Sequence, residues 1–249
     1  MTTTPLPMQT PEMPEMNEPT TLVEVSGLAM RYGPVTALDG VDLTLASGQI
    51  VGLLGENGCG KTTLLKILAG VMTGYSGDVR IAGHEPGPES KARVSFLPDT
   101  SFLPDRARVS YCLDLYADFF ADFRPEKARD LIGYFGLSES TRLKEMSKGM
   151  REKVQIALAM SRDASVYLLD EPISGVDPAA RQLIVDGIVR TLSEDSLLLI
   201  ATHLVHDLEP VLDAVVMMRH GRVVLSGDAD DLRGGRGASL DQIFKETYR

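Results

Sequence analysis

Apolar and polar residues alternate through Leu22-Val23-Glu24-Val25-Ser26 and again from Val41 to Leu45. This period of two predicts half-buried strands of an antiparallel piece. The run Ile50 to Leu54 is different: it is continuously apolar, bounded by Gly48 and Gly55, and followed by a helical stretch from Thr62 to Ala69. That is the pattern of a central parallel strand feeding a helix. Short strands are predicted near Asp78 to Ala82 and Val94 to Leu97, and further strands over Val166 to Leu169, Leu197 to Ala201, Ala214 to Met218 and Val223 to Leu225. Helices are predicted over Met150 to Met160 and after Pro178. Strand and helix therefore alternate, which argues for an α/β core. Its mostly parallel sheet would have right-handed crossovers and an active site at the carboxyl ends of the strands.

A helical block from Ser110 to Met146 breaks this rhythm. One helix is predicted over Tyr111 to Phe123 and a second from Pro125 to near Gly136. The block reads as an inserted helical subdomain, spanning about residues 100–160 of a domain that covers 21–235, with a C-terminal helix over 236–249. Residues 1–20 combine Pro, Thr, Met and Glu with almost no aliphatic content and are expected to be a disordered tail.

Composition narrows the function classes. The chain has 249 residues, 43% of them hydrophobic, enough for one large core. A formal charge of -10 and a pI of about 4.9 oppose nucleic-acid binding, which needs clustered Lys and Arg facing phosphates. Only Cys59 and Cys112 occur, without metal-ligand spacing, so neither a disulfide framework nor a zinc site is expected. No apolar run approaches the roughly 18–20 residues of a membrane-spanning helix. The first basic residue is Arg31, so no secretory signal or transit peptide is read, and a cytoplasmic location is expected.

The chemistry concentrates in two segments. Gly55-Glu56-Asn57-Gly58-Cys59-Gly60-Lys61-Thr62 matches GxxxxGK[ST], after a predicted buried strand and at the start of a predicted helix, with Thr63 next in line. In such a P-loop the glycines let backbone N–H groups curl round phosphate oxygens. Lys61 neutralises the β- and γ-phosphates of a nucleoside triphosphate, and the Thr62 hydroxyl can ligate Mg²⁺. Cys59, at the same helix terminus, is expected to have a lowered thiol pKa and to be alkylated unless ATP protects it. The second segment, Val166-Tyr167-Leu168-Leu169-Asp170-Glu171-Pro172, is an apolar strand tipped by two acids. Adjacent carboxylates at a sheet end repel each other and lose hydration unless a cation offsets the cost. Asp170 is the candidate metal holder and Glu171 the residue that orients or deprotonates the attacking water.

Between these sites lies Met146-Ser147-Lys148-Gly149-Met150-Arg151, and after Asp170-Glu171 come Ser174-Gly175-Val176-Asp177 and Thr202-His203. The order and spacing resemble the nucleotide-binding domain of ABC transporters over about Leu22 to Asp231. The resemblance implies a P-loop NTPase core with an antiparallel β piece on its N-terminal side and an inserted helical subdomain. It implies Tyr32 as the aromatic that stacks on adenine, and Ser147 and Gly149 as signature residues that meet the γ-phosphate held by the opposite subunit. Ser174 to Asp177 would be the D-loop, and His203 the switch residue at the γ-phosphate. Asp99 stands where the family has a glutamine that contacts metal and water, and retains an oxygen ligand on a shorter, charged side chain. Lys148 replaces the usual glycine of the signature and Met150 the usual glutamine, which adds a cation near the composite site.

The run from Met146 to Arg181 is similar to a bacterial group of type-2 ABC exporters that includes bacitracin-resistance and acetoin-utilisation-linked ATPases. The expected machine is an ATP-hydrolysing motor subunit working as a head-to-tail dimer, with a second copy of itself or a paralogous cassette. It would lie peripherally on the inner face of the cell membrane against a permease subunit encoded as a separate chain. Tyr111, Phe119, Phe120 and Phe123 are candidates for that contact, although an aromatic stripe of this kind is more often core. The alternative is a non-transport ABC ATPase with a regulatory or translation-linked role.

Overall fold

The computed structural model describes residues 19–248, so all but the last residues of the expected tail lie outside the described residues. The chain opens with β1 (Thr21–Tyr32), β2 (Val35–Ala46), β3 (Ile50–Leu54), α1 (Lys61–Leu68), β4 (Ser76–Ile81), α2 (Pro88–Lys91) and β5 (Val94–Leu97). The helical block follows as α3 (Val109–Phe119), α4 (Pro125–Tyr134), a 3-10 turn at Leu143–Glu145 and α5 (Lys148–Met160). Then come β6 (Val166–Asp170), α6 (Pro178–Val189), β7 (Leu197–Thr202), α7 (Val205–Leu208) and a 3-10 turn at Glu209–Val211. The last elements are β8 (Ala214–Arg219), β9 (Arg222–Asp228), α8 (Ala229–Arg236) and α9 (Leu240–Thr247).

Two sheets result. β2-β1-β4 is antiparallel, as the two alternating segments predict, with strands several residues longer than those segments. The six-stranded sheet has the order β5-β6-β7-β3-β8-β9; it is parallel from β5 to β8, and the edge strand β9 is antiparallel. Both faces of this larger sheet are covered, and residue parity shows it. Val51, Leu53, Val166, Leu168, Leu197, Leu199, Val216 and Met218 pack into one core with α1 and the antiparallel sheet. Their neighbours Leu54, Tyr167, Leu169, Leu198, Ile200, Val215 and Met217 pack into a second core with α3 to α6 and α9. A strand buried on both faces has no polar side to alternate, which is why β3 and β7 read as continuous apolar runs.

The structure departs from the sequence reading in the helical block. The predicted helix through Phe123 stops at Phe119, and Phe120 is extended at φ −121° and ψ 106°. The cause is Arg162. This arginine is 5% exposed; its guanidinium lies 4.1 Å from the Phe120 ring centroid, donates to both Asp122 carboxylate oxygens, and reaches the Val94 carbonyl at 2.7 Å. Continuing the helix would carry Phe120 and Asp122 away from it. The aromatic stripe is split in consequence: Phe123 is buried, while Tyr111 and Phe119 stay exposed. At the C-terminus there are two helices, separated by Gly237 at φ +60°, where helical geometry ends and glycine is favoured. α9 starts with Ser239 and Gln242 in a capping box, inside the segment expected to be helical.

Candidate active site

The phosphate loop joins the carboxyl end of β3 to α1. Gly60 caps the helix at φ +112°, and a Cβ there would lie 2.5 Å from the Ala37 carbonyl oxygen, so only glycine fits this turn. No side chain among the described residues caps α1, which leaves its first N–H groups free to meet an anion. Lys61, 5% exposed, donates to the Gly55 carbonyl at 2.6 Å and the Glu56 carbonyl at 3.2 Å, and its ammonium lies 3.9 Å from Glu171 Oε1. Asn57, Gly58, Gly60, Lys61, Thr62 and Thr63 line an open cleft, faced by Val35 to Ala37 and closed by Asp99 and Glu171. Val35 to Ala37 carry no motif, so the sequence gives no signal for that wall.

Cys59 departs from expectation. It is buried under the loop, and burial raises its thiol pKa above the usual value despite the opposing Lys61 charge. Desolvation outweighs the helix terminus.

The acidic pair sits at the end of β6. Asp170 is 1% exposed, and neither carboxylate oxygen has a hydrogen-bond partner among the described residues. Burial, first, and the charges of Asp99 and Glu171 raise its pKa, while the Thr62 hydroxyl and Lys61 act the other way. Two unpartnered buried carboxylate oxygens beside a hydroxyl are hard oxygen donors of the kind that Mg²⁺ takes, so these residues fit that ion.

Glu171 is held in place from several sides. Its backbone N–H donates to the Ala201 carbonyl at 2.8 Å, the Thr202 hydroxyl donates to Oε2 at 3.2 Å, and His203 Nδ1 lies 3.0 Å from Oε1. Its φ of +50° places a non-glycine residue in the left-handed region. Thr202 stands in the sequence only as the neighbour of His203, and its hold on Glu171 emerges through this contact.

The remaining predicted residues lie outside the cleft lining. Tyr32 is 45% exposed at the end of β1, with its hydroxyl 2.8 Å from Met72 Sδ. Ser147 is exposed and caps α5, accepting from the Met150 N–H at 3.2 Å. Gly149 follows in its first turn, beside Val176 of the Ser174–Asp177 segment. The Lys148 ammonium lies 3.5 Å from Glu152 and stands over Gly175, so the extra cation of this segment is paired within its own chain.

A glycine cradle at a helix start, a buried lysine, and a strand tipped by Asp-Glu beside a histidine define a P-loop nucleotide-binding protein. A model of the family described as "ABC transporter" matches residues 38–174. The chain is 32% identical over 220 residues to the ABC transporter ATP-binding protein NatA of Bacillus subtilis, covering 84% of this chain and 89% of that protein. It is 32% identical over 222 residues to the Nod factor export ATP-binding protein I of Ralstonia nicotianae, covering 86% and 69%. Daunorubicin resistance ATP-binding protein DrrA3 of Streptomyces coeruleorubidus is 29% identical over 236 residues, covering 91% and 75%. A solved structure described as the ATP binding subunit of an ABC transporter superposes with a TM-score of 0.82 at 31% identity, covering 92% of this chain and all of that one. The chain belongs to the ABC transporter family, among its ATP-binding proteins. No helix among the described residues is long and apolar enough to cross a membrane.

Proposed function

We propose that this chain hydrolyses ATP as the motor subunit of an exporter whose membrane-spanning permease is a separate polypeptide. The observation that carries the reading is the placement of Glu171. Its carboxylate is fixed by Thr202 and His203 at the mouth of the phosphate cleft, 3.9 Å from the Lys61 ammonium. Lys61 binds the β- and γ-phosphates, and the α1 terminus adds its partial charge. Glu171 orients or deprotonates the attacking water, and His203 holds that carboxylate and reaches the γ-phosphate. Asp170 and Thr62, with Asp99 at the rim, would hold Mg²⁺, which supplies charge neutralisation at the phosphates when bound.

Ser147 and Gly149 lie outside their own cleft, Ser147 as the exposed cap of α5 and Gly149 in its first turn. This supports a head-to-tail pairing with a second copy or a paralogous cassette, each signature segment completing the other's site. Tyr32, exposed at the end of β1, would stack on adenine. The export and drug-resistance names of the relatives support transport outward. Tyr111 and Phe119, exposed on α3, are the aromatic surface that remains for the permease at the inner face of the membrane.

The test is Mg²⁺-dependent ATPase activity of wild type beside Glu171→Gln, with size-exclusion chromatography of both in ATP. The substitution is expected to lower turnover by a factor on the order of 10² to 10³ while keeping ATP bound, and to accumulate a dimer. Unchanged turnover would remove Glu171 from the chemistry.

A further inference from the structure

α9 ends against the root of the phosphate loop. The Tyr248 hydroxyl, just beyond the helix, donates to the Met218 carbonyl, with the Leu54 carbonyl 3.3 Å away. Leu54 is the last residue of β3, and Met218 sits at the register shift in the β8–β9 ladder. A Cβ on Gly55 would lie 2.7 Å from the Met218 carbonyl oxygen, 3.3 Å from the Tyr248 hydroxyl and 2.5 Å from Cys59 Sγ. Three groups thus converge on the one glycine whose carbonyl holds the Lys61 ammonium at 2.6 Å.

The tyrosine is itself fixed. Its ring lies 4.5 Å from that of Phe244, and Arg219, 5.9 Å from the ring centroid, donates to the Thr247 carbonyl at 3.3 Å. The other end of α9 is pinned by Glu209, whose carboxylate accepts from the Leu240 N–H at 2.7 Å, while Leu240 and Ile243 are fully buried. Glu209 opens the turn after α7, and α7 starts two residues past His203. One helix therefore spans from the segment behind His203 to the start of the phosphate loop.

We propose that Tyr248 is a positioning residue for nucleotide binding: its hydroxyl, anchored on the Met218 carbonyl, packs against the Leu54–Gly55 junction so that the loop N–H groups converge on the phosphates. α9 is the strut that delivers it. The proposal rests on the assignment of the cleft as the ATP site.

The experiment compares wild type, Tyr248→Phe and Tyr248→Leu by binding of a fluorescent ATP analogue, steady-state KM and kcat, melting temperature, and the rate of Cys59 alkylation without nucleotide. Losing one hydrogen bond in Tyr248→Phe is expected to raise KM and the dissociation constant roughly three- to tenfold, with kcat nearly unchanged. Cys59 labelling is expected to accelerate several-fold while the melting temperature stays close to that of wild type. Nucleotide affinity and labelling rate both equal to wild type in Tyr248→Phe would overturn the proposal. So would a loss confined to Tyr248→Leu and matched by a fall in melting temperature, which would make the residue a packing element only. The labelling rate reads the loop without ATP, so it tests Tyr248 even if wild type binds none; that result would instead sink the assignment of the cleft.

Discussion

At the scale of single residues, the site is held by groups whose burial works against their charge. Asp170 is the clearest case. Its folded pKa lies above the ordinary carboxylate value, so it favours folding when protonated, at low pH. That contribution is lost as pH rises through the raised value. Asp170→Asn is therefore expected to stabilise the metal-free protein at neutral pH, on the order of 1–3 kcal/mol by urea denaturation. The advantage should shrink at acid pH, while Mg²⁺ loses its effect on nucleotide binding. An equal stability difference at all pH values would contradict the assignment. The identity and order of these residues were legible because a phosphate cradle needs glycines, a lysine and a hydroxyl in fixed succession. The state of Cys59 was not: its helix-terminal position is written in the sequence, but its burial depends on Gly55 and on strands far along the chain.

At the scale of elements, the alternation of β3, β6 and β7 with helices was readable because a strand covered on both faces has no polar residues to interrupt it. The end of α3 was not readable. Aromatic periodicity continues through Phe123, yet the chain turns out of the helix to bring Phe120 and Asp122 onto Arg162, 40 positions beyond Asp122. A charged residue near the start of a strand reads as surface, and nothing local marks it as the centre of a buried cluster. Arg162 joins this turn to the entrance of β5 through Ala92 and Val94. Arg162→Ala is expected to destabilise by about 3–5 kcal/mol, because Asp122 loses its partner and two carbonyls lose their donor. Denaturant unfolding measures it, and a loss below about 0.5 kcal/mol would place Arg162 among ordinary surface residues.

At the scale of the whole molecule, the larger sheet brings the loop after β3, the acids of β6 and the histidine after β7 to one edge. Those three strands are adjacent in the order β6-β7-β3 and run parallel, so their carboxyl ends coincide. The sequence predicted an active site at the carboxyl ends of parallel strands, but not which strands would be neighbours. It did not predict the return of α9 to the same edge, since the contact between Tyr248 and Leu54 spans 194 positions.

The left-handed backbone at Glu171 sets fold and chemistry against each other at one position. A side chain at this angle costs on the order of 1 kcal/mol relative to glycine, which adopts it freely. Glu171→Gly should accordingly be more stable than Glu171→Ala by about 1 kcal/mol in denaturant unfolding, although both lack the carboxylate and both should be inactive. The residue best suited to the turn is thus one that cannot do the chemistry, and the wild-type chain keeps a locally frustrated turn in exchange for a reactive group at the seam of its sheet.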